Sequence, residues 1–280
     1  MLVLKTIFEA KSHLQNERNS SKKIAFVPTM GALHDGHLAL VEEARKRAEI
    51  VVVSIFVNKA QFNDLNDYEK YPRQLEDDLQ KLQNRADYVF APSSEEMFPQ
   101  NFSLKIAPIE LANCLCGASR PGHFEGVAKV VTRLFEIIQP DVAVFGEKDF
   151  QQLAIIKNLG LSAKIIGVKT LREASGLAMS SRNQRLSEAS KIKASALFKI
   201  LNEIVSEVKK SPQNVAEILQ KKHQQILDEG FEKIDYLEIR DEKNLHVLAE
   251  FTPADILKNS FRIFVAAHIS GVRLIDNLPL

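Results

Sequence analysis

The chain has 280 residues, of which 45% are hydrophobic and 26% are charged, and its formal net charge is +1. This composition is typical of a globular protein with one large domain or two medium domains. Because the charges nearly balance, we expect no extended basic surface and therefore no nucleic-acid partner.

The N-terminus and the apolar runs favour a cytoplasmic protein without a membrane partner. Residues 1–10 contain no long apolar region and no small-residue cleavage site, so export is not expected. The longest apolar run, residues 50–57, is too short to cross a bilayer. The spacing of Cys114 and Cys116 suits neither a disulfide framework nor a CxxC redox motif. We expect reduced thiols without a dedicated role.

The first part of the chain alternates short β-branched runs with helical patterns, which is typical of a parallel sheet covered by helices. The strongest predicted helix covers residues 127–138, where an apolar stripe ends before Pro140. The predicted strands lie near residues 24–27, 50–57, 88–90, 142–145 and 164–170.

The pattern changes near residue 170. Lys- and Glu-rich helical segments dominate residues 187–230, and strand-like runs follow at 236–239 and 261–266. The predicted fold class is therefore α/β. We expect a Rossmann-like, doubly wound parallel sheet in residues 1–170 and a second, smaller α+β domain in residues 171–280.

Residues 28–38 read Pro-Thr-Met-Gly-Ala-Leu-His-Asp-Gly-His-Leu and follow the strand predicted at 24–27, a position typical of a nucleotide-binding turn. Gly31 and Gly36 would let the backbone approach a ligand closely. His34 and His37 would share one face of the helix that begins there. Their side chains and the free amides of that helix would be directed at a phosphate.

Other kinds of site fit this turn less well. The Gly31-to-Gly36 interval fits a Walker A loop, but His37 and Leu38 replace its Lys and its Ser or Thr. The interval is also wrong for a dinucleotide-binding turn. A zinc site on His34 and His37 lacks an evident set of further ligands, and two unrelated helix-start histidines are the other less favoured interpretation.

Polar segments follow three other predicted strands. Ligands of an open parallel sheet bind beyond the carboxyl ends of its strands, so we expect one cleft formed by these segments and the turn. Lys148 could neutralise phosphate charge, and Asp149 could hold magnesium or a ribose hydroxyl, unless the two form only a solvated charge pair. The segments are residues 58–62, 146–149 and 172–183.

Residues 179–183, Met-Ser-Ser-Arg-Asn, are predicted to form a flexible polar loop that could close over a triphosphate. The loop is similar to the mobile Lys-Met-Ser-Lys-Ser loop of class I aminoacyl-tRNA synthetases. Asn58, Gln61 and Gln152 could orient a hydroxy acid. Buried amides satisfied by the backbone are an equally good interpretation of these three residues.

Several motifs, in this order and spacing, together resemble the pantothenate synthetase family. The resemblance extends over nearly the whole chain, and its first motif is the most specific. The motifs lie at residues 28–37, 56–62 (Phe-Val-Asn-Lys-Ala-Gln-Phe), 71–73 (Tyr-Pro-Arg), 120–127 (Arg-Pro-Gly-His-Phe-Glu-Gly-Val), 145–153 (Phe-Gly-Glu-Lys-Asp-Phe-Gln-Gln-Leu), 179–183 and 273–277 (Arg-Leu-Ile-Asp-Asn).

The resemblance implies an AMP-forming ligase that joins pantoate to β-alanine through a pantoyl adenylate. ATP and Mg²⁺ would be required, and AMP and pyrophosphate would be released. It also implies a homodimer in which the N-terminal domain makes the contact, with the C-terminal domain closing over the active site. An adenylyltransferase acting on a phosphorylated vitamin precursor is the alternative, and a noncatalytic nucleotide-binding regulator is less favoured.

The resemblance also implies roles for individual residues. His37 would be the principal catalytic residue, assisted by His34, Lys148 and Arg182. Gln61 and Gln152 would bind pantoate, with Asn58 shaping the same region. The ATP-binding residues would be Met30, Gly31, Ala32, Leu33, His34, Asp35, Gly36, His37, Gly146, Glu147, Lys148, Asp149, Leu171, Met179, Ser180, Ser181 and Arg182.

The chain departs from the family pattern at three positions. Lys59 replaces a proline, which makes the orientation of pantoate by Asn58 less certain. Asp77 and Asp78 match an acidic stretch near which some relatives place magnesium, but Lys81 replaces a glutamine there. We therefore assign no protein ligand to magnesium, which ATP phosphates can hold. Leu171 replaces a valine that contacts adenine, and this change is conservative.

Overall fold

The computed structural model describes residues 1–107, 109–247 and 260–280. The chain divides into two compact units, and two short segments that precede residue 170 belong with the second. The first unit comprises residues 1–110, 120–147 and 155–169, and the second comprises residues 111–119, 148–154 and 170–280.

The first unit contains a six-stranded sheet in which all pairings are parallel, which confirms the predicted doubly wound fold. Its order is β1-β4-β3-β2-β5-β6, so the direction of winding reverses between β2 and β5. Ligands of such sheets bind at this switch point, beyond the carboxyl ends of the strands. The strands are β1 (Leu2–Leu4), β2 (Ile24–Thr29), β3 (Ile50–Ile55), β4 (Tyr88–Phe90), β5 (Val142–Gly146) and β6 (Lys164–Val168).

The central strands form because both of their faces are buried. Val51, Val52 and Val53 are fully buried, as are Ala25 and Val27. Parallel strands covered by helices on both faces read as continuous apolar runs instead of alternating ones. This is why all five strands predicted in this part of the chain are found, whereas the three-residue β1 was missed.

The helices are mostly amphipathic, and the strongest prediction among them is confirmed. Helix α7 ends at Ile138 as expected but begins at His123, because Gly122 adopts a left-handed conformation with φ of +80° just before it. None of the helices in the described ranges has the length and apolar content needed to span a bilayer. The helices are α1 (Ile7–Asn19), α2 (Asp35–Arg45), α3 (Leu65–Glu69), α4 (Leu75–Leu82), α5 (Ser94–Met97), α6 (Leu115–Ser119), α7 (His123–Ile138), α8 (Phe150–Lys157), α9 (Glu188–Ala194), α10 (Ala196–Lys210) and α11 (Val215–Asp228).

The second unit contains a three-stranded antiparallel sheet, β7 (Lys233–Asp241), β8 (Phe261–Ile269) and β9 (Val272–Pro279), in the order β7-β8-β9. The predicted runs at 236–239 and 261–266 lie within β7 and β8. Strand β9 was identified only as a family motif, because its polar residues obscure the alternation that indicates a strand. The apolar stripe of α10 and the inner face of the sheet form one core cluster.

Helix α7 lies against a 3₁₀ turn at Lys59–Gln61 with almost no space between the two backbones. A Cβ atom on Gly126 would lie 2.4 Å from the carbonyl oxygen of Ala60 and 2.8 Å from the backbone nitrogen of Gln61. Neither partner is a flexible side chain, so only glycine permits this approach.

Replacing Gly126 by Ala should therefore destabilise the protein, although alanine normally stabilises a helix by about 1 kcal/mol relative to glycine. We expect the free energy of unfolding, measured by urea denaturation, to fall by roughly 1–3 kcal/mol because overpacking forces a backbone shift. Gly146→Ala is the matched control, since no atom lies within 4 Å of its added methyl. A Gly126→Ala protein as stable as the wild type would contradict this explanation of the contact.

Candidate active site

The nucleotide-binding turn predicted at 28–38 leaves the carboxyl end of β2 and enters α2. Gly31 and Ala32 both have positive φ, +77° and +51°, and this pair of left-handed residues reverses the chain. His34 occupies the N-cap position and α2 begins at Asp35. The turn therefore lies beside the switch point between β2 and β5, where ligands of this fold class bind.

Most backbone amides of the turn are already engaged by the protein. Gly31 donates to the Thr29 hydroxyl at 3.1 Å, and His34 donates to Nδ1 of His37 at 3.3 Å. Ala32 and Leu33 donate to the two carboxylate oxygens of Asp78, at 2.8 and 2.7 Å. These four amides are therefore not available to a phosphate.

Three amides around the turn remain open. Within the described part of the chain, the amides of Met30, Asp35 and Gly36 have no acceptor. Asp35 and Gly36 form the first turn of α2, where an amide has no intrahelical acceptor and the helix dipole favours an anion. The start of α2 therefore offers two open amides, and their binding to a phosphate stays a prediction.

Asp78 holds the turn from α4. Its side chain is 1% exposed, and Oδ2 lies 2.8 Å from where a Cβ of Gly31 would be. The glycine was predicted to admit a ligand, but its close neighbour is this carboxylate. Lys81, one helical turn further along α4, donates to the carbonyl of Leu33 at 2.7 Å. Burial raises the pKa of Asp78, while the Leu33 and Ala32 amide hydrogen bonds oppose the rise.

The two histidines lie together, as the spacing predicted. The ring centroids of His34 and His37 are 4.0 Å apart. Because Nδ1 of His37 accepts the backbone N–H of His34, the neutral ring carries its proton on Nε2. His37 is thereby fixed as a hydrogen-bond donor through Nε2.

The side-chain amide of Gln61 lies next to the turn. Its Nε2 is 2.9 Å from Sδ of Met30, so the structure brings together a predicted pantoate ligand and a predicted ATP ligand. Asn58 donates through Nδ2 to Oε1 of Gln61 at 3.2 Å and to the carbonyl of Gly126 at 3.0 Å. Asn58 is 2% exposed, so the interpretation as a buried amide satisfied by the protein fits it. It positions Gln61.

Arg120 and His123, which had no role assigned from the sequence, hold Gln61 by its backbone carbonyl. His123 contacts the Gln61 carbonyl through Nδ1 at 2.7 Å, and Arg120 donates to the same oxygen at 3.1 Å. Arg120 also lies 3.1 Å from Nε2 of His123. This pattern requires the neutral ring of His123 to carry its proton on Nδ1. The signal for both residues was the motif at 120–127, to which no role had been given.

The candidate residues Gly146 and Glu147 belong to the first unit, whereas Lys148 and Asp149 belong to the second. Gly146 ends β5, and a 3₁₀ turn covers Glu147–Asp149. Nζ of Lys148 is 3.9 Å from Asp149, too far for a strong hydrogen bond, so the ammonium is held only loosely.

Within the second unit, the two neighbouring glutamines of α8 differ sharply. Gln151 is buried and bonded to the amide of Cys116 and the carbonyls of Leu111 and Cys114, so it is structural. Gln152, the predicted pantoate ligand, is half-buried, and its side chain makes no hydrogen bond within the described residues. Both cysteines are free thiols, and burial raises the pKa of Cys114.

Residues 171–183, which include the loop predicted at 179–183, make several hydrogen bonds within the second unit. Met179 donates to the carbonyl of Leu171 at 3.0 Å, which brings two predicted ATP-binding residues together. Ser181–Arg185 form a 3₁₀ turn capped by the hydroxyl of Ser180. Ser181 is buried, and the side chain of Asn183 donates to Glu173 and to the carbonyl of Ala178. Arg182 is half-buried in this turn.

Strand β9 is hydrogen-bonded to two candidate segments of the second unit, the one that begins at Arg172 and the one that begins at Lys148. Asp276 accepts two hydrogen bonds from the guanidinium of Arg172, at 2.6 and 2.9 Å. Asn277 donates to the carbonyl of Lys148 at 2.9 Å. The motif at 273–277 therefore has a structural explanation that its sequence alone did not provide.

A protein-built metal site is not found among the described residues, where no group of three or more His, Cys, Asp or Glu side chains is placed to hold an ion. The acidic stretch at 77–78 does not fit magnesium either. Both oxygens of Asp78 accept backbone amides, and the carboxylate is closed off from solvent.

Comparison with known proteins agrees with this geometry. A family model described as pantoate-beta-alanine ligase matches residues 2–279. The pantothenate synthetase of Azotobacter vinelandii is 45% identical over an alignment of 287 residues that covers 100% of this chain and 99% of that protein. The pantothenate synthetase of Carboxydothermus hydrogenoformans is 44% identical over 279 residues, covering 96% and 95%.

Solved structures agree as well. The pantothenate synthetase of Thermus thermophilus superimposes with a TM-score of 0.88 at 42% identity, covering 99% of each chain. The pantoate-beta-alanine ligase of Francisella tularensis, complexed with beta-gamma ATP and beta-alanine, gives a TM-score of 0.79 at 38% identity, covering 99% of this chain and 97% of that one. Since both the sequence and the fold match over almost the whole length, this chain belongs to the pantoate–β-alanine ligase family.

Proposed function

We propose that this ATP-dependent ligase condenses pantoate with β-alanine in two steps, through a pantoyl adenylate, and releases AMP and pyrophosphate. The observation that carries the proposal is the turn after β2, where open amides and a donor histidine lie beside Gln61. The relative from Francisella tularensis, complexed with beta-gamma ATP and beta-alanine, supports ATP and β-alanine as substrates of this chain. The adenylyltransferase alternative is set aside because the family match extends over residues 2–279.

In the first step, a carboxylate oxygen of pantoate attacks the α-phosphorus of ATP and forms a P–O bond. The bond from that phosphorus to the bridging oxygen breaks, and pyrophosphate leaves. Negative charge grows on the phosphate oxygens in the transition state, and fixed donors stabilise it. The amides of Met30, Asp35 and Gly36 and Nε2–H of His37 would supply these donors.

In the second step, the amine of β-alanine attacks the carbonyl carbon of the adenylate. A C–N bond forms, the bond from that carbon to the phosphate oxygen breaks, and AMP leaves while the amine loses a proton. Activation is needed because a free carboxylate would have to expel oxide. The adenylate replaces that leaving group with AMP.

The remaining roles are proposed from the resemblance. Gln61 and Gln152 bind pantoate, with Asn58 holding Gln61 in place. Lys148 and Arg182 add positive charge at the phosphates, and His34 supports His37.

We further propose that Mg²⁺ arrives bound to the phosphate oxygens of ATP, as is usual for this cation. The acidic stretch at 77–78 offers it no fitting site, so no step above is assigned to the metal. We also propose a homodimer, as the resemblance implies, and a cytoplasmic location.

Isotope exchange tests the two-step scheme. With pantoate, ATP and Mg²⁺ present and β-alanine absent, the enzyme should exchange labelled pyrophosphate into ATP, because the first step is complete and reversible. Omitting pantoate should abolish the exchange. Exchange that requires β-alanine would show a concerted reaction, and formation of ADP instead of AMP would reject adenylation.

Substitution of His37 tests the donor role. His37→Ala should lower the rate of pyrophosphate exchange by roughly 10²-fold or more, as expected when a donor to developing charge is lost. His37→Gln keeps an N–H near the position of Nε2 and should retain more activity than the alanine variant. His223→Ala, at an exposed histidine of α11, serves as the control. Equal activities of the two His37 variants would place the donor elsewhere.

A further inference from the structure

The acidic stretch at 77–78 contains two neighbouring aspartates in very different environments. Asp77 is exposed, whereas Asp78 is 1% exposed and lies behind the turn that carries the open amides. Burying a carboxylate without partners is costly, so its contacts indicate what the group does. Besides a hydrogen bond with the side chain of Gln74, its carboxylate accepts two backbone amides of the turn, those of Ala32 and Leu33.

We propose that Asp78 is a positioning residue for the ligation reaction, which fixes the direction of the phosphate-binding amides without touching the substrate. By accepting the amides of Ala32 and Leu33, its carboxylate points these two N–H groups inward, into the protein. The resulting chain reversal leaves three amides without an acceptor among the described residues. They are the amide of Met30 before the reversal and those of Asp35 and Gly36 after it.

The backbone conformation supports this assignment. Ala32 has φ of +51°, a left-handed conformation that a residue with a Cβ adopts only when its surroundings hold it there. Two charge-assisted hydrogen bonds to Asp78 supply that constraint at Ala32 and at the next residue. Glycine suits position 31 because φ is +77° there and because a Cβ would lie 2.8 Å from Oδ2 of Asp78 and 3.0 Å from Cγ2 of Ile55.

Lys81 supports the same turn independently. Its ammonium donates to the carbonyl of Leu33, so α4 holds this residue through both its N–H and its C=O. The amide of His34 follows directly and donates to Nδ1 of His37. Helix α4 therefore fixes the residue that directly precedes His34, whose amide selects the tautomer of His37.

Kinetics of Asp78→Asn test the proposal, with Asp77→Asn as the matched control. An asparagine can accept only one of the two amides and presents an N–H to the other, so the turn should shift. We expect kcat/KM for ATP to fall by about 10- to 100-fold, as for other small misplacements of binding groups. The KM for β-alanine should be unchanged, and Asp77→Asn should behave as the wild type.

Two outcomes would overturn the proposal. If Asp78 binds magnesium, excess Mg²⁺ should restore the ATP kinetics of Asp78→Asn, and Asp77→Asn should be impaired as well. If Asp78 matters only for stability, the active fraction should fall while the KM for ATP stays at the wild-type value. Circular dichroism at the assay temperature measures the folded fraction for each variant.

Lys81 provides a second test should Asp78→Asn fail to fold. Lys81→Met removes the donor to the Leu33 carbonyl and should raise the KM for ATP, whereas Lys81→Gln keeps an N–H donor and should lose less. Titration of ATP binding in the absence of pantoate measures the ATP affinity of the turn, independently of turnover. Identical ATP affinities for these two variants and the wild type would contradict the role of α4 in positioning the turn.

Discussion

The pair of hydrogen bonds from Ala32 and Leu33 to the buried carboxylate of Asp78 is the constraint on which the candidate site depends. These bonds help to hold Ala32 in its left-handed conformation, and the carboxylate that accepts them adds a steric reason for glycine at position 31, where φ is +77°. With these bonds, the turn has one fixed direction. The open amides then lie at its two ends, and its middle faces the protein.

The second structural constraint is the close approach of α7 to the turn at Lys59–Gln61. Gly126 allows the two backbones to meet, and Asn58, His123 and Arg120 then hold Gln61 by its side chain and its carbonyl. If Gln61 binds substrate as proposed, rigid support of this kind lowers the cost of orienting it, because the side chain is already in place before the substrate arrives. Both constraints act within the first unit.

The sequence predicted much of the fold because its central strands are buried on both faces and read as continuous apolar runs. It could not predict β9, where Arg273, Asp276 and Asn277 interrupt the alternation, or the inclusion of residues 111–119 and 148–154 in the second unit. These features depend on long-range contacts, such as the bond from Asn277 to the carbonyl of Lys148, which leave no local pattern.

The candidate site, like the fold, could be predicted only in part from the sequence. The spacing of His34 and His37 predicted their shared face, because three residues span nearly one helical turn. The sequence could not predict the role of Asp78, because it does not distinguish a carboxylate that accepts backbone amides from one that binds magnesium. The burial of Ser181 and Asn183 was also not visible in the sequence, since it depends on contacts outside residues 179–183.

A crystal structure with pantoate and a non-hydrolysable ATP analogue would test the central claim most directly. We expect phosphate oxygens about 2.7–3.2 Å from the amides of Met30, Asp35 or Gly36 and from Nε2 of His37. The amides of Ala32 and Leu33 should still be bonded to Asp78. Amides of Ala32 and Leu33 that turn to the phosphates, or a magnesium ion coordinated by Asp78, would contradict the claim.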